Sequence, residues 1–81
     1  MYDEPTEIEV LVFKTLKFCK GRSEVTVGTL RKNFKLKAAA AVWLFEELER
    51  RGIITERLLG KNDEIIGKID KKRLEQYFII N

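Results

Sequence analysis

Gly52 stands where the hydrophobic period of this chain changes. Before it, Ala41, Leu44, Phe45 and Leu48 recur at i, i+3, i+4 and i+7, the spacing of one buried helix face. After it, Ile53 to Leu59 and Glu64 to Ile69 read as two strands joined by the turn formers Gly60-Lys61-Asn62-Asp63. A helix must therefore stop at Gly52 and feed directly into a β-hairpin. Upstream, Val25-Thr26-Val27 has the composition of a short strand, and Gly28 to Phe34 forms a helix with Val27, Leu30 and Phe34 inward. The turn Lys35-Leu36-Lys37 then leads into the helix that ends at Gly52. Strand, helix, tight turn, helix and hairpin in this order leave few ways to bury the apolar positions.

The flanks extend the pattern. Pro5-Thr6-Glu7-Ile8 opens a first helix with Thr6 as N-cap and Glu7 and Glu9 in the first turn, and Lys20-Gly21 closes it. Ile8, Leu11, Val12, Thr15, Leu16, Phe18 and Cys19 share its core face. Asp70 caps a last helix over residues 70–81 that buries Leu74 with Tyr77 or Phe78. Residues 1–5 are an acidic tail and residues 53–69 the hairpin, so the expectation is one α+β domain over residues 1–81.

Several function classes fall away on composition. The 81 residues include no histidine and one cysteine, so a zinc site, a His-based triad and an internal disulfide are all excluded. Glu46, Glu47 and Glu49 diverge around a helix, Cys19 falls on its inward face, and Gly60-Lys61 lacks the spacing of a phosphate loop, so no enzyme and no cofactor are expected. The apolar run Ala38 to Phe45 is far shorter than the roughly 20 residues of a membrane span. A soluble, cytoplasmic protein is the expectation. Low Gln with abundant Lys, Glu, Arg and Ile resembles the composition of heat-adapted proteins.

The net charge of +3 conceals a partition. Residues 1 to 10 carry −4, residues 11 to 37 carry +7, and from residue 38 onward acids and bases cancel. A basic stretch of this kind suits a polyanion through phosphate contacts and counterion release, and equally describes ordinary solvated helix faces.

The pattern Leu30-Arg31-Lys32-Asn33-Phe34-Lys35-Leu36, followed by Ala41-x-x-Leu44-Phe45-Glu46-Glu47-Leu48-Glu49-Arg50-Arg51-Gly52-Ile53-Ile54, resembles the winged helix-turn-helix superfamily. Within it, residues 25 to 60 are most similar to the DNA-orienting C-terminal domain of bacterial chromosome-segregation translocases. The resemblance implies a three-helix core, a short strand, a two-stranded wing and a C-terminal helix. It also implies double-stranded DNA as partner, with the helix after the turn as recognition helix and a role as a small transcriptional regulator or DNA-associated accessory factor. The matching positions of that helix are Ala38, Ala39, Ala40 and Trp43, where those domains carry polar and basic residues. Alanine offers a base only apolar contact, so selectivity should be low. Arg31, Lys32, Lys35 and Lys37 are placed to hold phosphates, Ala39, Ala40 and Trp43 to approach the groove, and Arg57 and Lys61 to reach from the wing. The rival expectation makes Ala39, Ala40 and Trp43, rimmed by Glu46, Glu47 and Arg50, a surface for docking another protein. A third folds Trp43 back into the core.

Val10 and Phe13 fall on the outer side of the first helix. Together with Tyr77, Phe78 and Ile80 they give a candidate homodimer interface, or else the last helix covers them within one chain.

Overall fold

Helix α1 (Glu7–Cys19) leads through a turn into strand β1 (Glu24–Thr26). Helices α2 (Val27–Phe34) and α3 (Ala38–Arg50) follow, then β2 (Ile54–Leu59), a turn at Lys61–Asp63, β3 (Ile65–Ile69) and α4 (Lys71–Ile79). This computed structural model describes residues 7–79. The acidic tail, the Thr6 cap and Ile80 of the candidate interface lie outside the described residues. The sheet is antiparallel in the order β1-β3-β2, so the short strand joins the hairpin as its third member. The architecture is the α+β winged helix-turn-helix.

Each junction is set by local chemistry. Thr26 ends β1 and caps α2, its hydroxyl accepting the Thr29 backbone N–H at 2.9 Å. That bond moves Val27 from the expected strand into the first helical position. At the end of α3, Gly52 lies at φ +77, the Ile53 N–H donates to the Leu48 carbonyl and the Gly52 N–H to the Glu49 carbonyl, both at 3.0 Å. These two bonds are the Schellman closure that needs a left-handed residue, and they turn the chain straight into β2. Asp70 accepts the Arg73 N–H at 3.1 Å and starts α4 as expected.

The core forms where the helices meet the sheet. Ala41, Leu44, Phe45 and Leu48 of α3 are all buried, with Val12, Leu16 and Cys19 of α1, Leu30, Ile53, Ile54 and Leu74. Thr15 is buried with its hydroxyl donating to the Leu11 carbonyl at 2.7 Å, which satisfies the polar group inside its own helix. Ile8 departs from the expected core face and is 57% exposed. The reason is position along the helix: residues 7–10 are all exposed and burial begins at Leu11, so the first turn of α1 overhangs the body.

Cys19 is fully buried, and burial pushes its thiol up to about 11, against a weaker opposing pull from Arg22. Its folded value lies above its unfolded 9.0, so the neutral thiol stabilises the fold below pH 9 and that contribution disappears as pH rises through about 11. Alkylation of Cys19 at neutral pH should therefore proceed only at the rate of global opening. Labelling as fast as that of a free thiol under native conditions contradicts this.

Candidate nucleic-acid interface

Helix α3 begins without a cap. Lys37 occupies the N-cap position in extended conformation, φ −71 and ψ 157, and makes no side-chain cap bond. The first backbone N–H groups of a helix have no partner inside it, and they carry the positive end of the helix dipole. Here those donors belong to Ala38, Ala39 and Ala40, the first two exposed and the third half-buried. Helix N-termini of this kind are chemically suited to anions.

The turn before α3 carries the cations. Lys35 closes α2 in the left-handed region, φ 54 and ψ 48, and the Leu36 N–H reaches back to the Arg31 carbonyl at 2.9 Å. A lysine at positive φ is costly by about 1–2 kcal/mol relative to ordinary helix conformation, yet the fold holds it there. Arg31, Lys32, Lys35 and Lys37 are all exposed, and none forms an ion pair among the described residues. Lys61 at the wing tip is likewise exposed and unpaired among those residues.

Four other cations are paired within the chain. Glu47 takes Arg50 and Arg51 through its two carboxylate oxygens, at 2.6 and 2.9 Å, and their hydrogen bonds hold its carboxyl below the usual range. The negative charge of Glu47 is thereby compensated on this face. Arg57 does not extend from the wing. Its guanidinium folds back onto Glu49 of α3 and lies 5.2 Å from the centre of the Phe45 ring. The hydrogen bonds that Arg57 donates to Glu49 raise its pKa further, and Glu46 adds to the field. Lys68 pairs with Glu24 at 3.4 Å. The uncompensated positive charge of this face is left on α2, on the turn and at the wing tip.

Trp43 is 36% exposed and stands outside the buried core, one turn beyond the alanines. Ala39 is exposed and Ala40 half-buried, so the three make a shallow apolar strip leading from the N-terminus of α3 toward Glu46. The open N-terminus, the left-handed Lys35 and the inward turn of Arg57 escaped the sequence reading. The first had a signal in the absence of Ser, Thr, Asp or Asn at position 37. The pairing of Arg57 with Glu49 depends on strand register and had none.

Among the described residues, no His, Cys, Asp or Glu cluster could hold a metal ion, and no helix is long and apolar enough to cross a membrane.

No family model and no curated protein matches this sequence. A solved structure does share its fold: the crystal structure of a MepR-like protein complexed with pseudoligands superposes with a TM-score of 0.66, at 24% identity over 85% of this chain. The chain spans about half of that protein, 51% of its length. The likeness carries the fold, a winged helix.

Proposed function

We propose that this chain is a duplex-DNA-binding winged helix, acting as a small transcriptional regulator or DNA-associated accessory factor, and that it holds DNA through phosphates more than through bases. The observation that carries the reading is the uncapped N-terminus of α3 between Lys35, Lys37 and the three alanines. A phosphate oxygen seated there accepts backbone N–H groups, while Arg31 and Lys32 on α2 and Lys61 on the wing contact phosphates to either side. The fold shared with the MepR-like protein supports this, as does the resemblance of residues 25 to 60 to DNA-orienting winged helices. Ala39, Ala40 and Trp43 supply close apolar approach and little hydrogen bonding, so discrimination between sequences is weak. Arg57 serves the reading indirectly, by fixing the wing to α3 through Glu49.

Trp43 is the only tryptophan, and its emission reports on this face. Titrating random-sequence duplex into dilute protein at low salt should shift that emission, and added salt should reverse the shift. Emission indifferent to duplex, together with unchanged anisotropy of a labelled duplex, overturns the reading. The Trp43 strip would then stand as a surface for docking another protein.

A further inference from the structure

The outward seam of α1 joins charge to exposed apolar surface. Glu7, Val10, Lys14 and Lys17 follow one another at spacings of 3, 4 and 3 residues, which at about 100° per residue keeps them on one stripe. All four are exposed, Val10 at 38%, and Phe13 beside the stripe is 50% exposed. The ring of Phe13 meets Phe78 of α4 at 6.2 Å and carries the Lys17 ammonium 5.6 Å from its centre, and half of the residue stays exposed. Two grooves border the ridge. One is lined by Glu7, Val10, Leu11, Lys14 and Phe34, the other by Val12, Phe13, Leu16 and Tyr77 with Glu9 and Arg51 at its edge.

The charge along this seam has a direction, acidic at its start and basic at its end. Two copies laid parallel put like charge on like. Two copies laid antiparallel about a two-fold axis put Glu7 of each opposite Lys17 of the other. The same axis places the aliphatic stem of each Lys14 over the other's Val10. The reciprocity is the signature of an isologous interface: one stripe satisfies itself when reversed. The ridge formed by Val10 and Phe13 can enter the groove of the other copy, as ridges and grooves of packed helices do.

We propose that the occupant of this face is a second copy of the chain, bound through antiparallel α1 helices and selected by reciprocal Glu7–Lys17 pairs around Val10 and Phe13. The pairing uses none of the residues assigned to DNA, so either reading can fail while the other stands.

The test is sedimentation velocity on the full chain across a concentration series, with far-UV circular dichroism on every variant. The wild type should dimerise, and its dissociation constant should rise with salt. Glu7→Lys alone makes the stripe wholly basic, and Lys14→Glu with Lys17→Glu makes it wholly acidic. Each folded variant should dimerise about tenfold or more weakly, while an equimolar mixture of the two should restore a heterodimer near wild-type strength. A monomeric wild type overturns the proposal. So does a wild-type dimer indifferent to salt, or one whose charge-reversed variants pair as before without preference for each other.

Discussion

Phe45→Ala is expected to destabilise the protein by about 3–5 kcal/mol, a large part of what a small domain has. The ring is 1% exposed and lies where α3 meets the sheet. Its edge fills the space above Gly67 in the central strand, and the Arg57 guanidinium covers it from the wing. Truncation opens a cavity beneath β3 and removes the surface on which the Arg57–Glu49 pair rests. The same contact predicts the reverse experiment. A Cβ on Gly67 would stand 2.9 Å from a Phe45 ring carbon and 2.8 and 2.9 Å from two carbons of Ile54. Gly67→Ala should therefore cost about 1–3 kcal/mol by overpacking, although alanine suits a strand no worse than glycine. The two effects are coupled. In the Phe45→Ala background the Gly67→Ala penalty should shrink, because the added methyl enters the space the ring has left. Urea denaturation of the four proteins measures the cycle. Additive penalties, or a Phe45→Ala loss under about 1 kcal/mol, contradict the close approach of α3 to β3.

This contact marks the boundary of what the sequence makes legible. The order of elements, the buried face of α3 and the stop at Gly52 followed from period and turn chemistry, because those depend on residues a few positions apart. Asp70 as a cap and the Gly60–Asp63 tip were legible for the same reason. Gly67 was not: a glycine inside a strand pattern signals close approach without saying from where, and here the answer lies on a helix more than twenty residues upstream. Ile8 was misplaced because helical periodicity gives a direction around the axis and not the point along it where the body ends. At the candidate site the cations of α2 and of the turn could be named from their outward positions, and the structure leaves them exposed. Arg57 and Glu47 could be assigned only an exposed face. The Arg57–Glu49 pair joins the wing to α3 and is decided by packing, whereas the Glu47 pairs with Arg50 and Arg51 follow from i,i+3 and i,i+4 spacing along one helix.

Reversing two of the exposed cations gives the largest expected functional effect. Lys35→Glu with Lys37→Glu should weaken binding to random-sequence duplex by about 100-fold at low salt and lower the salt slope by about 2. The argument is local. Both lysines flank the open N-terminus of α3, where the backbone donors already favour an anion, and two carboxylates there would occupy or repel the phosphate site. Stability should change little, since both side chains are exposed and neither forms an ion pair among the described residues. Lys35→Gly separates charge from conformation. Relief of about 1–2 kcal/mol of left-handed strain offsets the roughly 0.5–1 kcal/mol of added chain entropy, so the variant should be no less stable than the wild type. It nevertheless removes one phosphate contact, and its salt slope should fall by about 1. Anisotropy of a labelled duplex across a salt series, with thermal melts of each variant, reads both quantities. Unchanged affinity in the double variant, with the fold intact, would remove α3 and its leading turn from the DNA interface.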